Sequence, residues 1–580
     1  MSKKNKISLI FDGIKVLKRK NKKKFFFFIF LFFISMIIET LGIGMFIPTL
    51  SLLTQDDFVS KLNELVTFYD FSNYTNKDLI KFSILTMLII FSVRGLFLSL
   101  ISYLQSNYLA NIKAETSNKV FEIYLKENLN FHLENNSAKL IRNMNDISGF
   151  TVYVRNFLFL LIELITFIGI AMLMIIYEPI ISILSLLIIG TLGLIFHAFI
   201  QRKSEVWGKQ RRDFDGDRLL YLQQGFGAIR DIKMLNKEEY FINKFSYFNK
   251  SSAVAEYKNA FTMSLPRYYF EWLTVLGMSV VFFIFLFLNR PVSEFIPTIG
   301  LFAAVAIRLI PSIIRISNSL QAIVFTLPVI NNLVSIYKKE MKYNQQPENK
   351  TVDFNRSIEL KNLSYTHKNA KYPTLASLDL KIKFGETIGI IGETGAGKST
   401  LINIILGLFK QSDGEILIDG KALNGNIKSW QKQFGYVPQS VYLIDDTIKA
   451  NIALGVPSKL IDEEKMNDTI KKSSLKFLTN NLDFRLGRNL GEFGEKISGG
   501  QRQRIGIARA LYNDPKIIIF DESTSSLDLN TEKQIIDEIN LYKGKKTIII
   551  ISHRYSSLIN CDKVFELKNK KLNISRKGAA

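Results

Sequence analysis

Apolar residues crowd into six long stretches early in the chain, near 25–53, 79–105, 156–176, 180–200, 268–289 and 295–314. Each is long enough to cross about 30 Å of hydrocarbon at about 1.5 Å per residue, so each predicts a transmembrane helix. The connections alternate in character. Those at Tyr177-Glu178-Pro179 and Asn289-Arg290-Pro291 are short, whereas 106–155 and 201–262 are long and charged. The long ones keep an apolar spacing without proline, as in NKVFEIYLKENL, which predicts helices continuing well beyond the bilayer. The stretch 54–78 (TQDDFVSKLNELVTFYDFSNYTNKD) is acidic and so external by the positive-inside rule. Both termini and the two long connections are then cytoplasmic.

Polar residues without periodicity, KKEMKYNQQPENK at 338–350, predict a linker. Beyond it the texture changes. Short β-rich runs (ETIGII, KIIIF, KKTIIII) alternate with helical segments, the pattern of an α/β domain with a largely parallel sheet.

At 580 residues the chain is too long for one compact core. Its net charge of +23 admits nucleic acid, an anionic membrane surface or an acidic substrate as partner. Position decides. Ten basic residues, among them Lys18, Arg19, Lys20, Lys22, Lys23 and Lys24, stand before FFFFIFLFFISMII. Basic residues beside a span are held inside during insertion and attract anionic inner-leaflet lipids. Membrane lipids are therefore expected partners, and nucleic acid is not. The first apolar stretch is too long for a secretory signal and lacks a small-residue cleavage site. The single cysteine, Cys561, excludes an intramolecular disulfide and a cysteine-based zinc site.

The strand ETIGII runs into Gly392-Glu393-Thr394-Gly395-Ala396-Gly397-Lys398-Ser399-Thr400 and then into LINIILGLF. This is a P-loop in its required context of strand, glycine loop and helix N-terminus. The glycines let backbone N–H groups converge on phosphates, and the helix dipole favours the anion. Lys398 would neutralise the β- and γ-phosphates, and Ser399 would offer its hydroxyl to Mg²⁺. KIIIF ends in Asp521-Glu522, which suits Asp521 to hold Mg²⁺ through water and Glu522 to stand beside an attacking water. KKTIIII ends in Ser552-His553. A lone histidine there reads as structural; beside a P-loop and a carboxylate pair it reads as functional. Ile497-Ser498-Gly499-Gly500-Gln501 opens a helix, giving another anion-binding N-terminus or simply a capped basic helix.

With these motifs the chain resembles the ATP-binding cassette exporters, with six spans followed by one nucleotide-binding domain, over essentially its whole length. The resemblance implies a membrane α-helical bundle fused to an α/β P-loop domain. The expected divisions are a transmembrane domain at 1–337, a linker at 338–350 and a nucleotide-binding domain at 351–580. It implies ATP and Mg²⁺ as cofactors, hydrolysis coupled to transport, and a place in the bacterial inner membrane. Tyr365 looks like the aromatic that stacks on adenine, and Gln439, in YVPQS, like the loop glutamine that senses Mg²⁺. Gly491-Glu492-Phe493-Gly494 resembles the segment contacting the cytoplasmic helices, and Ser526-Leu527-Asp528 the loop bridging two nucleotide domains. Ile497 replaces the usual leucine, and Ser523 and Ser526 the usual alanines; none of these changes removes a group that touches phosphate. The resemblance further implies that the signature closes on ATP held by a partner's P-loop, so a homodimer is expected. Bends near Phe131–Asn136 and Gly225–Asp231 match the exporters' coupling helices, with ordinary hairpin turns as the plain alternative.

Ionisable residues inside the spans bear on the substrate. Arg94, Glu163 and Arg308 lie within the inner half, Arg267 and Arg315 nearer the boundary, and Glu39 in the outer half without an evident partner. Two readings stand side by side. Glu163 pairs with one arginine and fixes helix packing, or the arginines, Arg94 and Arg308 first, form a cationic ring suited to phosphate. IETLGIGMFIP, PRYYFE (Pro266–Glu271) and IRLIPSIIRI (Ile307–Ile316) resemble the bacterial flippase of lipid-linked oligosaccharides used in protein N-glycosylation. That resemblance implies a polyisoprenyl-diphosphate glycan moved from inner to outer leaflet. Export of lipid A, a drug or a peptide remains open. So does an ATP-gated channel, against which Glu522 and His553 argue.

Overall fold

The computed structural model describes residues 13–577 except 55–58, 60–73, 288–291, 344–350, 369, 424–426, 474, 476–488, 492–493, 524–531, 533–536 and 538–539. Where the first part of the chain is apolar it is helical, and the helices begin at residues suited to begin them. Thr75 accepts from the backbone N–H of Asp78, Asn136 accepts from that of Ala138, and Pro179 opens its helix where a missing N–H costs nothing. The helices are α1 (Arg19–Gly44), α2 (Phe46–Thr54), α3 (Asn76–Lys126), α4 (Leu129–Glu134), α5 (Ser137–Asn145), α6 (Ile147–Tyr177), α7 (Pro179–Gly227), α8 (Ile229–Leu235), α9 (Glu238–Phe287) and α10 (Val292–Tyr343).

The six predicted spans fall on α1 with α2, and on α3, α6, α7, α9 and α10. Among the described residues, four stretches are long and apolar enough to cross a membrane: Arg19–Leu53, Asn76–Lys126, Ser137–Tyr177 and Val305–Lys338. α3, with 51 residues, is about 75 Å long, well over twice the hydrocarbon thickness. The two predicted bends are the short helices α4 and α8. The predicted linker begins too early. α10 runs to Tyr343, because Lys338-Lys339-Glu340-Met341 are good helix formers and no breaker precedes them.

α1 shows how a phenylalanine run is divided. Phe25, Phe28 and Phe32 are buried, while Phe26, Phe27, Phe30 and Phe33 are exposed. Lipid is as apolar as a helix neighbour, so close packing rather than hydrophobicity holds such helices together. A Cβ on Gly169 of α6 would meet the Met36 side chain of α1 at 2.5 Å. A Cβ on Gly208 of α7 would stand 2.2 Å from the carbonyl oxygen of Phe325 in α10.

The chain divides into two compact units, 1–127 with 132–344, and 345–580 with 128–131. The second is built on two sheets. β1 (Ser357–Tyr365), β2 (Leu375–Lys383), β4 (Asp413–Ile418) and β5 (Lys421–Ala422) form an antiparallel sheet in the order β2-β1-β4-β5. β3 (Thr387–Ile391), β6 (Phe434–Val437), β7 (Ile517–Asp521), β8 (Thr547–Ile551), β9 (Lys563–Lys568) and β10 (Lys571–Lys577) form the other, ordered β10-β9-β3-β8-β7-β6. All its pairings are parallel except β9 with β10. β3 and β7 are buried throughout, which is why their sequences are isoleucine-rich rather than alternating.

Candidate functional site

Register brings the nucleotide motifs together. In the order β3-β8-β7-β6, Ile390 lies beside Ile551, Asp521 beside Ile551 and Val437 beside Phe520. Four parallel strands therefore end at one edge. They deliver the P-loop after β3, His553 after β8, Asp521 and Glu522 at the end of β7, and Gln439 after β6. Binding at the carboxyl edge of such a sheet is a general property of α/β folds.

The P-loop turns through Gly395 and Gly397, at φ of 84° and 106°, a region glycine enters without steric cost. Gly397 caps the helix Lys398–Ile405, whose Leu401, Ile402, Ile404 and Ile405 are buried, fixing its N-terminus at the loop. Trp430 Nε1–H donates to the carbonyl of Ile405 at 2.7 Å and anchors the other end. Lys398 is only 6% exposed, and its ammonium donates to the carbonyls of Gly392 at 2.8 Å and Glu393 at 3.1 Å. A buried ammonium balanced chiefly by carbonyl dipoles, in a loop of glycines before a helix N-terminus, fits a polyphosphate. Ser399 and Thr400 follow in the first turn, with Thr394 and Ala396 in the loop, and the Ser399 side is exposed.

Glu522 is held from three sides. His553 Nε2 lies 2.7 Å from its Oε1, Gln439 Nε2 donates to its Oε2 at 2.9 Å, and Lys398 Nζ stands 3.7 Å from Oε1. His553 Nε2 is also 3.1 Å from Lys398 Nζ. A carboxylate at 2.7 Å favours a proton on Nε2, which leaves the lysine protons to the loop carbonyls. Glu522 has φ of 47°, and its N–H donates to the carbonyl of Ile551 at 3.0 Å, so the neighbouring strand over-determines a conformation that costs energy.

Asp521 is buried, and burial pushes its carboxyl above the usual range, against an opposing hydrogen bond from Tyr436 Oη to Oδ2 at 3.0 Å. A nearby cation would offset that cost, so Asp521 with Ser399 fits Mg²⁺. Among the described residues no three His, Cys, Asp or Glu side chains form a metal cage. Mg²⁺ characteristically takes few protein ligands and keeps phosphate and water. Ser498 and Gln501 form a reciprocal capping box, with Ser498 N donating to Gln501 Oε1 at 3.0 Å, before the helix Gly499–Leu511. Gly499 and Gly500 thus lead the helix, and a Cβ on Gly499 would meet nothing within 4 Å.

In the membrane helices, Glu39 of α1 is 2% exposed and takes two arginines. Arg94 of α3 donates to its Oε1 at 2.9 Å, and Arg308 of α10 grips both oxygens, with Nη2 3.1 Å from Oε2. Glu163 of α6 accepts from Ser312 Oγ at 2.6 Å, from Arg308 Nη1 at 3.5 Å and from Arg315, whose Nη2 lies 3.3 Å away. Five charged side chains from four helices thus form one network. Two expectations change. Glu39 has partners after all, and Glu163 pairs with two arginines rather than one. Arg267 stands apart, paired with Glu271 one turn along α9 at 2.9 Å.

Comparison with known proteins places this architecture. The ABC transporter transmembrane region family matches residues 24–309, and the ABC transporter family matches residues 375–525. The chain belongs to the ABC transporters. It has the fold of their exporters, a helical transmembrane domain fused to a nucleotide-binding domain. A solved bacterial Atm1-family ABC exporter with ATP bound superposes with a TM-score of 0.78, covering 96% of this chain and 95% of that one at 19% identity. An ATP-dependent lipid A-core flippase 2 of Colwellia psychrerythraea is 32% identical over 49% of this chain and 53% of its own length. This chain therefore matches about half of that relative. An ATP-dependent lipid A-core flippase of Ralstonia nicotianae is 25% identical over 82% of this chain and 79% of its own length.

For an ABC exporter, one expected residue fails. Tyr365 cannot offer a ring face to adenine. It is 4% exposed in the core, stacked on Phe409 at 5.3 Å and 6°, and its hydroxyl donates to Asn130 of the same unit at 3.3 Å. His367, two residues on and past the strand end, is exposed and meets both rings edge-on at 4.9 and 6.0 Å. Its exposed ring is available to a base. The signal was present: alternation along β1 turns Tyr365 inward, while its end frees His367. Tyr436 was also missed, because its role depends on β6 lying beside β7. Glu492, Phe493 and Ser526-Leu527-Asp528 lie outside the described residues.

Proposed function

We propose that two copies of this chain form an ATP-hydrolysing exporter that turns an amphipathic lipid with an anionic head group across the bacterial inner membrane. Our preferred cargo is a polyisoprenyl-diphosphate oligosaccharide, moved from the inner to the outer leaflet. The charge balance of the membrane network carries this reading. Arg94, Arg308 and Arg315 outnumber Glu39 and Glu163 by one positive charge, and ionisable residues of spanning helices characteristically mark a substrate path. Guanidinium forks match phosphate oxygens two at a time. Lipid A, named for two of the relatives, also carries phosphate, which keeps it as the second reading.

Bound ATP supplies the phosphoanhydride that is broken, and Mg²⁺ the counter-charge for its phosphates. Lys398 and the P-loop amides would hold the phosphates, with Ser399, Asp521 and Gln439 around the metal. Glu522 orients the attacking water and accepts its proton. His553 fixes the Glu522 carboxylate from one side and Gln439 from the other. Ser498, Gly499 and Gly500 would complete a partner's site, which makes the homodimer the working unit. Closure of two nucleotide domains and their separation after hydrolysis then alternate with access to the cargo site.

Native mass spectrometry of the purified protein tests the cargo. A co-purified polyisoprenyl-diphosphate glycan, with ATP-dependent flipping of that lipid in proteoliposomes, is the expected result. Bound lipid A and no flipping of the glycan would favour the second reading.

A further inference from the structure

The donors on α10 are arranged around one carboxylate. Arg308, Ser312 and Arg315 are spaced i, i+4 and i+7, which puts them on a single face of the helix. All three converge on Glu163 from α6. Ser312 Oγ reaches Oε2 at 2.6 Å, Arg308 Nη1 reaches it at 3.5 Å, and Arg315 binds both oxygens. Two guanidinium groups and a hydroxyl around a pair of oxygens form the cradle that a phosphate would need, with a carboxylate already in it. The two ends of the network differ. Glu39 is sealed between Arg94 and Arg308, both mostly covered, whereas the Arg315 side chain is 45% exposed. The cradle is therefore open at Arg315 and closed at Glu39. The Arg308 contact to Glu163, at 3.5 Å, is also longer than its 3.1 Å contact to Glu39. Arg308 thus holds Glu39 more closely than it holds Glu163, which depends on Ser312 and Arg315 for its remaining contacts.

We propose that Glu163 is a built-in competitor for the anionic head group. Its carboxylate occupies the Arg308–Ser312–Arg315 cradle, and an incoming phosphate takes its place, entering by way of Arg315. Glu39 stays in position throughout and holds Arg94 and Arg308 in register. Arg315, rather than Arg94, is then the first cation that the head group meets. The arrangement gives selectivity: a neutral or weakly anionic amphiphile cannot displace a carboxylate held by two arginines, whereas a diphosphate can. This proposal rests on the head-group reading given above.

Binding of farnesyl diphosphate to the detergent-solubilised full-length protein tests it, with farnesol as the uncharged control. Saturating ADP is present throughout, so that the P-loop is occupied while the nucleotide domains stay apart. If Glu163 fills the cradle about nine-tenths of the time, Glu163→Gln should bind farnesyl diphosphate roughly tenfold more tightly than the unmutated protein. Farnesol should be unaffected. Glu163→Asp, which keeps the charge but withdraws it by one methylene, should fall between the two and carries the test if the glutamine variant does not fold. Arg315→Gln should weaken farnesyl diphosphate alone. A merely structural Glu163 predicts the opposite sign, since its loss would loosen both arginines and weaken binding. Equal or weaker binding by the Glu163 variants, with the unmutated protein still preferring farnesyl diphosphate to farnesol, overturns the competitor while sparing the head-group reading. No preference in the unmutated protein overturns the head-group reading itself.

Discussion

His553 Nε2 lies 2.7 Å from Glu522 Oε1, a contact made possible because β8 and β7 are neighbours whose ends coincide. The imidazole points the carboxylate, and Gln439 holds its other oxygen. Glu522→Gln keeps the shape and one acceptor but cannot take a proton. Hydrolysis should fall by about two to four orders of magnitude, with ATP affinity nearly unchanged. Phosphate release and nucleotide binding measured side by side check this, and turnover near the unmutated level removes Glu522 from its role.

Composite sites can be tested by mixing subunits. Lys398→Ala chains combined with Ser498→Arg chains should give heterodimers with one doubly broken site and one intact site. ATPase activity above that of either mutant homodimer is expected. Crosslinking between the P-loop and the signature of the two chains should accompany it, because coupling between sites could hide complementation.

Removing the carboxylate of Glu39 takes from Arg94 its 2.9 Å partner and leaves Arg308 only the longer contact to Glu163 at 3.5 Å as an ion pair. Breaking a buried pair from one side costs about 3–5 kcal/mol, and the part exposure of Arg94 and Arg308 puts this case toward the lower value. Glu39→Gln should therefore unfold at a clearly lower temperature in detergent. Adding Arg94→Gln should recover part of the loss. A Glu39→Gln protein as stable as the unmutated one would show that the network contributes nothing to the fold.

His367→Ala should weaken ATP binding by roughly two- to twelvefold, the worth of about 0.5–1.5 kcal/mol for an aromatic contact. His367→Tyr should restore it. Tyr365→Phe, which removes only a hydroxyl directed at Asn130, should leave affinity unchanged. The reverse ranking, read by titration with a fluorescent nucleotide, would return the role to Tyr365.

Burial raises the carboxyl of Asp521 above its usual range, so the folded chain binds that proton more readily than the unfolded one. Ionised Asp521 then lowers stability. The penalty is absent below the unfolded-state value, grows as pH rises toward the raised folded value and is complete above it. At neutral pH, nucleotide-free Asp521→Asn should melt higher than the unmutated protein, with the gap shrinking in acid. Mg²⁺-dependent hydrolysis should be lost. Equal melting temperatures at neutral pH would contradict this account.

What could be read from the chain follows from how local each signal is. Asp521, Glu522 and His553 were legible because each stands at or just past the end of a short isoleucine-rich strand, and parallel strands end together; Lys398 was legible from the glycine loop that joins such a strand to a helix. The spans were legible from apolar length alone. Partners across helices were not. Glu39 and Arg308 are 269 positions apart, and no periodicity says which faces of α1 and α10 meet. The resemblance points to Tyr365 as the adenine aromatic, but a match of residue type does not say which face of β1 is covered. KKEMKY reads as linker because it is polar, but a polar run can continue a helix as readily as form a loop. Cys561 is buried, and burial raises its thiol to about 12, which disfavours the nucleophilic thiolate at neutral pH.

Gly208 and Gly216 both lie where α7 meets a neighbour, yet they differ in kind. A Cβ at 216 would meet the end of the Arg142 side chain, which can swing aside. At 208 it would meet the Phe325 carbonyl, which is part of a helix and cannot. The walls of α7 and α10 touch there with no side chain between them, so a single methyl group acts as a shim. Gly208→Ala would pry the two helices apart without altering any charge or any nucleotide-binding group. The chain thus contains a place where a purely mechanical change can be introduced. Whether ATP turnover and cargo movement respond to it together or separately would measure how rigidly that pair of helices acts as one beam.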